Sequence, residues 1–187
     1  MPRALTKSVP LICRRQIGIF LSRQSPFDTA AYIGKYRPMT TLLNPASHQW
    51  LMLDSDDTPM HLGALMMFRL PRNHNADWIA QLGNRFLDAG AQPPWNYRRG
   101  GPFNSMWEVD AAFDPAFHFR RSALPSPGGE RELGALVSRL HSIELDQERP
   151  LWECHLIEGV YDNQFAVYVK LHPALIDTQT FFQLLTA

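Results

Sequence analysis

The sequence predicts an α/β domain in which strands alternate with helices. A continuous apolar run at 61–68 is typical of a buried strand. Residues 151–171 contain two strand-like stretches separated by a turn of hairpin length. Apolar residues recur at helical spacing over 78–87 and again over 130–143. The two kinds of element follow one another along the chain, which indicates the α/β class.

Composition excludes several classes of protein. The 187 residues include 5 Trp and 11 Phe, which a disordered acidic polymer would not have. Two cysteines cannot form a disulfide framework, and no Cys or His spacing fits a zinc finger. No apolar run reaches the roughly 20 residues that span a bilayer. The length is sufficient for one domain with a substantial core.

The first predicted helix covers 44–53, where Asn44 is placed to cap it. A polar turn separates this helix from the strand at 61–68, which we expect to be buried on both faces because its apolar run is continuous. Asp77 is placed to cap the next helix and Gly90 to end it.

The middle of the chain is less regular. Residues 91–105 are rich in Pro, Gly and Asn and predict a loop, whereas 106–109 predicts a short strand. Residues 110–127 are expected to be irregular. The clearest helix covers 130–143, and the hairpin at 151–171 follows a charged turn. Pro173 is expected to stop the last strand, after which residues 179–187 predict the opening of a helix.

The neutral net charge hides a division. Residues 1–38 contain seven basic residues and one acidic residue, whereas 39–187 contain 11 basic and 17 acidic residues. The basic segment has three interpretations: an organelle transit peptide, a polyanion-binding arm, or a poorly ordered extension outside the folded domain. The third is favoured, with Met39 as a natural start of the domain. The scattered basic residues and the lack of a nucleic-acid module argue against a nucleic-acid partner.

The segment that carries chemistry follows the last predicted strand and reads His-Pro-Ala-Leu-Ile-Asp from His172 to Asp177. From about residue 44 onward, the chain resembles the N-terminal half of the bacterial wax ester synthase/acyl-CoA:diacylglycerol acyltransferase family, within the superfamily of CoA-dependent acyltransferases. The stretches that carry the resemblance occur in order and with family-like spacing. They are 50–65, 113–128, 136–141, 145–153, 155–159 and 168–172.

The resemblance implies a mixed sheet flanked by helices, one half of a chloramphenicol-acetyltransferase-like two-domain acyltransferase fold. It assigns 39–187 to the N-terminal acyltransferase-like domain, with the C-terminal half absent, and leaves 1–38 outside. It also implies transfer of a fatty acyl group from acyl-CoA to diacylglycerol or a long-chain alcohol, in triacylglycerol or wax ester synthesis. Acyl-CoA is then a co-substrate, and neither a cofactor nor a metal is needed.

The family motif is His-His-x-x-x-Asp-Gly, in which the second His is the general base and the Asp is structural. By position, His172 matches the first His and Asp177 matches the Asp, so these two are the candidate catalytic-site residues. Pro173 occupies the position of the base and cannot accept a proton. Thr178 replaces the Gly, at a position that could require either a positive φ or close approach of another backbone segment, and a β-branched residue resists both. Because side chains alternate along a strand, His172 is expected to face away from the substrate tunnel.

The same residues also fit structural roles. His172 fits a buried, hydrogen-bonded histidine at a strand end, and Asp177 could cap the last helix. Arg149 is expected to pair with an acid, with Asp177 as the suggested partner. Trp152 and Cys154 are expected in the core.

The altered motif and the short chain leave alternatives open. The chain could be an impaired acyltransferase, a non-catalytic truncated remnant, a lipid- or partner-binding half, or one half of a split enzyme. The expected partners are acyl-CoA and a lipid alcohol or diacylglycerol, together with a separate C-terminal half or a second copy of the chain. Membrane contact is expected to be at most peripheral. The expected location is the cytoplasm, or the periphery of the inner membrane or of lipid bodies.

Overall fold

The computed structural model describes residues 41–186, so the interpretations of the basic segment 1–38 lie outside the described residues. Strands and helices alternate along most of this range. In chain order the elements are β1 (Thr41–Leu42), α1 (Pro45–Leu53), β2 (Leu62–Arg69), α2 (Trp78–Ala89), β3 (Tyr97–Gly100), a 3-10 turn (Pro102–Asn104), β4 (Met106–Val109), α3 (Pro115–His118), β5 (Phe119–Ala123), α4 (Glu130–Ser142), β6 (Trp152–Val160), β7 (Gln164–Leu171) and α5 (Thr178–Thr186).

The main sheet has four strands in the order β2-β7-β6-β5. β7 pairs antiparallel with both β2 and β6, whereas β5 pairs parallel with β6, so the sheet is mixed. A smaller antiparallel sheet has the order β1-β4-β3. The predicted α/β class and mixed sheet are therefore confirmed.

The main sheet has a helix on each face. On one face, the apolar side of α2 packs on β5, β6 and β7, where Phe86 stacks on Phe119 with ring centroids 4.5 Å apart. On the other face, α4 covers a smaller cluster that includes Ala166 and Tyr168 of β7. Because successive side chains of β7 point to opposite faces, Phe165 and the residues at alternate positions after it belong to the α2 side.

The predicted hairpin is confirmed as β6 and β7, and it forms the most deeply buried part of the molecule. The helices predicted at 44–53 and 130–143 are also confirmed. Asn44 caps α1, because its side-chain oxygen accepts a hydrogen bond from Ser47 N–H at 2.7 Å. Gly90 ends α2 with a φ of +63°, which glycine tolerates without strain.

One prediction about burial is wrong. The strand at 61–68 exists as β2, but it lies at the edge of the sheet and is not buried on both faces. Leu65 and Met67 are each 43% exposed, on the side of the strand that carries Tyr168 in β7. A continuous apolar run cannot distinguish an edge strand from a central one, because the position in the sheet depends on pairing with residues a hundred positions away.

The loop predicted at 91–105 and the irregular region at 110–127 each contain a strand. β3 lies within the first and β5 within the second, where a single turn of helix, α3, precedes it. Both strands contain adjacent arginines, and a polar strand without apolar alternation gives little sequence signal. β5 is stabilised by its parallel pairing with β6.

Candidate functional site

Strand β7 ends at Leu171 and delivers His172 into a tight turn. Leu175 N–H donates to the His172 carbonyl at 3.0 Å, which closes a β-turn over residues 172–175. Pro173 occupies the second position of this turn, where its fixed φ is favoured and no backbone N–H is required. The Ala174 carbonyl accepts a hydrogen bond from Ser47 Oγ at 2.7 Å, so helix α1 anchors the turn.

The His172 side chain is only 1% exposed. Its Nδ1 accepts a hydrogen bond from Ala174 N–H at 3.1 Å, so in the neutral ring the proton is on Nε2. Burial lowers the pKa of His172 to about 4, although the nearby Asp54 carboxylate opposes this shift. The ring is therefore neutral at physiological pH, with Nδ1 already occupied and Nε2 already protonated.

The Asp54 carboxylate faces this ring. Its Oδ2 is 3.6 Å from His172 Nε2, which is an electrostatic contact rather than a hydrogen bond. Its Oδ1 accepts from Met60 N–H at 2.7 Å, and its Oδ2 accepts from Gln147 Nε2 at 2.6 Å. Gln147 Oε1 in turn accepts from Arg99 Nη1 at 2.6 Å. A chain of polar side chains therefore leads from β3 to the end of β7.

Sequence reasoning missed Asp54, Gln147 and Arg99. Asp54 is one of three acids in a segment that predicts only a polar turn, and Gln147 lies 93 positions further along the chain. No local spacing relates these residues, because the tertiary fold alone brings the two loops together.

A second group of buried polar side chains lies beneath α4, on the same face of β7. Lys170 is fully buried, and its Nζ donates to the Leu140 and Ile143 carbonyls at 3.1 and 2.6 Å. These carbonyls lie at the C-terminal end of α4, where a cation is favoured. Lys170 Nζ is also 3.4 Å from Glu153 Oε2, which is 3.2 Å from His155 Nε2.

The acid in this group remains ionised. Burial acts to raise the pKa of Glu153, but the hydrogen bond from His155 and the charge of Lys170 outweigh burial and lower the pKa below its usual value. Burial lowers the pKa of Lys170, and the Glu153 charge opposes that shift. The three side chains form a compensated charge cluster inside the domain.

Tyr168 connects the sheet to the exposed end of α4. Its hydroxyl forms a hydrogen bond with His141 Nδ1 at 2.7 Å, and burial raises the pKa of Tyr168 to about 12, so the hydroxyl remains protonated. His61 Nε2–H donates to the His141 carbonyl at 2.7 Å. Burial lowers the pKa of His61, which keeps this ring neutral.

Asp177 is at the surface and caps α5. Its two carboxylate oxygens accept from Thr180 N–H at 2.9 Å and from Thr180 Oγ1 at 2.6 Å. These bonds lower the pKa of Asp177. Thr178 is the first residue of α5 and does not have a positive φ, so of the two alternatives for this position the left-handed conformation is wrong.

The suggested pairing of Arg149 with Asp177 is also wrong. Arg149 Nε lies 3.3 Å from Asp146 Oδ2, three residues earlier, and its guanidinium lies over the Phe117 ring, 4.0 Å from the centroid. Trp152 and Cys154 lie in the core, as predicted. Burial raises the pKa of the Cys154 thiol to about 12.

The described part of the chain contains no group of three or more His, Cys, Asp or Glu side chains that could hold a metal ion. Between residues 41 and 186, no helix is long and apolar enough to cross a membrane.

Comparison with known proteins identifies the relatives of this chain. The wax ester synthase/diacylglycerol acyltransferase catalytic domain matches residues 43–187. A Mycobacterium tuberculosis H37Rv protein whose name describes it as a diacylglycerol O-acyltransferase is 45% identical over 143 residues, which are 74% of this chain and 29% of that protein. The O-acyltransferase WSD of Acinetobacter baylyi is 41% identical over 137 residues, covering 72% of this chain and 29% of the relative. The chain therefore spans about 29% of the length of these curated relatives.

The chain is also similar in fold to solved structures. The wax ester synthase/diacylglycerol acyltransferase from Marinobacter aquaeolei VT8 superimposes with a TM-score of 0.72 at 40% identity, over 76% of this chain and 35% of that one. The starter condensation domain of the rhizomide synthetase RzmA superimposes with a TM-score of 0.56 at 12% identity, over 78% of this chain and 37% of that one, which shows a shared fold alone. From the match over residues 43–187 and these relatives, the chain belongs to the wax ester synthase/diacylglycerol acyltransferase family.

Proposed function

We propose that this domain serves fatty acyl transfer from acyl-CoA to diacylglycerol or a long-chain alcohol, and that Pro173 strongly lowers the rate at which this chain supports it. The family match over residues 43–187 carries the first part of the proposal. The second part rests on the side chains at the end of β7, where Pro173 occupies the position of the family's general base.

The reaction requires a group that accepts the proton of the acceptor hydroxyl. As the hydroxyl oxygen attacks the thioester carbonyl, its proton passes to the base, the carbon–sulfur bond breaks, and CoA leaves as the thiol. A proline side chain has no atom that can accept this proton. General-base catalysis typically contributes about 10²–10⁴-fold to the rate, so a loss of this size is expected.

His172 does not replace the missing base. Its Nδ1 accepts the Ala174 N–H, its Nε2 carries the proton, and the ring is buried. To accept a proton from a substrate, the ring would have to break its bond to Ala174 and leave its position beside Asp54. We therefore assign His172 to the support of the turn and leave position 173 as the place where a base would act.

The direct test is CoA-thiol release by the full 187-residue chain from palmitoyl-CoA with hexadecanol or a diacylglycerol. The variants are Pro173→His, which supplies a base, and Pro173→Ala, which removes the ring without supplying one. Thiol release should rise in Pro173→His and remain at the wild-type level in Pro173→Ala. Rapid turnover by the unmodified chain would contradict the proposed impairment.

A chimera tests the same point in a complete protein. Residues 43–187 would replace the matching segment of the Marinobacter enzyme, once with Pro173 and once with His at that position. The chimera with His should release CoA thiol about 10²–10⁴-fold faster than the chimera with Pro. If both chimeras fold and neither is active, the domain does not support acyl transfer, and the first part of the proposal fails.

A non-catalytic lipid- or partner-binding role is the second candidate. Large apolar side chains are exposed on α1 and α5, including Trp50 (39%), Met52 (76%) and Phe182 (57%). Single exposed apolar side chains are common on protein surfaces, so this role requires that these residues contact lipid or a partner together. Flotation of the full chain with neutral-lipid emulsions, compared with a Met52→Glu variant, tests lipid contact. Sedimentation velocity of the same two proteins tests self-association, and this role is excluded if neither assay distinguishes them.

A further inference from the structure

The chain of polar side chains that leads from β3 to the end of β7 surrounds the His172 ring with groups of fixed hydrogen-bonding role. Asp54 belongs to the loop after α1, Gln147 to the loop after α4, and Arg99 to β3, so three separate segments converge on the end of β7. His172 Nε2 is buried and has no hydrogen-bond partner in the described part of the chain. The group that faces it is the Asp54 carboxylate, at 3.6 Å.

Neighbouring groups fix the hydrogen-bonding role of each ring nitrogen of His172. Ala174 N–H can only donate, so Nδ1 must accept and carry no proton. The carboxylate can only accept, so it favours a proton on the Nε2 that faces it. The two neighbours therefore select the same tautomer, in which Nε2 is protonated.

The carboxylate itself has little freedom. Met60 N–H and Gln147 Nε2–H each donate to a different oxygen of Asp54, at 2.7 and 2.6 Å, so the plane of the carboxylate is set. Its side chain is only 14% exposed, which reduces competition from solvent. The His172 ring faces a charge that is held in place rather than one on a mobile surface side chain.

We propose that Asp54, held by Met60 and Gln147, is a positioning residue that fixes the His172 tautomer and thereby the turn that carries position 173. The bond from Ala174 N–H to His172 Nδ1 exists only in this tautomer, and it spans Pro173. That a base would act at position 173 rests on the proposed function. That Asp54 controls the turn does not rest on it.

Asp54→Asn is the decisive variant. If the amide oxygen accepts from Met60 N–H, the amide NH₂ takes the place of Oδ2 and points a donor at His172 Nε2. Gln147 then has to turn its own amide so that its oxygen, rather than its NH₂, faces position 54, at the cost of its bond from Arg99. The donor at position 54 reverses the demand on the ring, because Nε2 must now accept and Nδ1 must carry the proton. The bond from Ala174 N–H is then lost.

The experiment uses the full 187-residue chain labelled with ¹⁵N-histidine, and side-chain NMR correlations report which ring nitrogen of His172 carries the proton. Amide hydrogen exchange at Ala174 and Leu175 reports the turn. We expect the Nε2–H tautomer in the wild type and the Nδ1–H tautomer in Asp54→Asn, with at least tenfold faster exchange at Ala174. Asp54→Glu keeps the carboxylate and should restore the wild-type tautomer, and Asp57→Asn, at a neighbouring exposed acid, should change nothing.

The proposal is overturned if Asp54→Asn leaves the tautomer and the Ala174 exchange rate unchanged. It is also overturned if exchange rises equally throughout β6 and β7, since Asp54 would then stabilise the whole domain rather than the turn. If Asp54→Asn does not fold, Gln147→Leu removes the donor on Oδ2 and keeps the charge. Faster exchange at Ala174 in that variant supports the proposal, and an unchanged rate contradicts it. None of these readouts depends on acyl transfer, so they fail independently of the proposed function.

Discussion

The two faces of strand β7 are equally buried but are held in different ways. On the α2 face, Phe165, Val167, Val169 and Leu171 pack against other apolar side chains. On the α4 face, Tyr168, Lys170 and His172 are buried as polar groups, each facing a specific partner. The first face tolerates changes that preserve volume, whereas the second depends on the identity of each donor and acceptor.

The polar face of β7 ends in the turn that contains Pro173. Pro173 follows the polar face, in a turn whose second position favours proline. The hydrogen bonds of this turn are made by the backbone and by the His172 ring, so they require no side-chain donor or acceptor at position 173. The fold of the turn and the proposed lack of a base at position 173 therefore depend on different atoms.

The largest effect is expected on the polar face. Lys170→Met leaves Glu153 buried without its cation and removes the donor to the last carbonyls of α4. We expect a loss of about 4 kcal/mol in the free energy of unfolding, measured by urea denaturation. The double variant Lys170→Met/Glu153→Leu should recover part of this loss, because it removes the unpaired charge. A single-variant loss below about 1 kcal/mol would show that the cluster is not the electrostatic unit described here.

On the apolar face, Leu171→Ala removes a fully buried side chain next to the site. A loss of about 3.5 kcal/mol is expected from the lost transfer energy and the cavity that remains. Leu171→Met preserves the volume and serves as the matched control, with a loss below about 1.5 kcal/mol. Equal losses in the two variants would mean that packing does not govern this face.

The faces should also differ in their response to pH. The pKa of His172 is lowered to about 4 in the folded protein, from 6.5, so between these values the unfolded chain binds more protons. Stability is therefore retained above pH 6.5 and falls as the pH drops towards 4, by at most about 3 kcal/mol from this residue. The charged or titratable groups that act on the ring are Asp54, His61 and Arg99.

The measurement is the urea midpoint as a function of pH. His172→Gln should flatten the curve between pH 6.5 and 4, and His48→Gln, at an exposed histidine, should leave the curve unchanged. An unchanged slope in His172→Gln would contradict the assignment of His172 as a buried neutral ring. His61 also has a lowered pKa, so some slope is expected to remain.

The smallest effect is expected beyond the turn, at the surface. Asp177→Ala removes the acceptor for Thr180 N–H at the start of α5 and should cost about 1 kcal/mol. Asp177→Asn keeps a capping oxygen and should cost less. Thermal unfolding of the two variants separates them, and equal losses would mean that charge, rather than capping, is the role of Asp177.

The sequence alone determined much of the scaffold. Hydrophobic periodicity located the main helices, and the alternating apolar hairpin located β6 and β7, because each of these patterns depends on neighbours within a few residues. The sequence also located the segment from His172 to Asp177 and predicted that Pro173 takes the position of the family's base. The strands β3 and β5 were not predictable, because the adjacent arginines in each strand leave no apolar alternation. β5 also depends on its pairing with β6, a strand that is remote from it in the chain.

Only the tertiary structure decided what surrounds His172. Nothing near residue 172 in the sequence indicates an acid 118 positions earlier, and the glutamine that orients this acid lies in a third segment. The different surroundings of His172 and Asp177 also follow from the tertiary structure. His172 is buried against Asp54 because β7 ends inside the domain, whereas Asp177 caps α5 because the chain has by then returned to the surface. Local patterns specify elements, but long-range packing determines which charges meet and therefore which tautomer a histidine adopts.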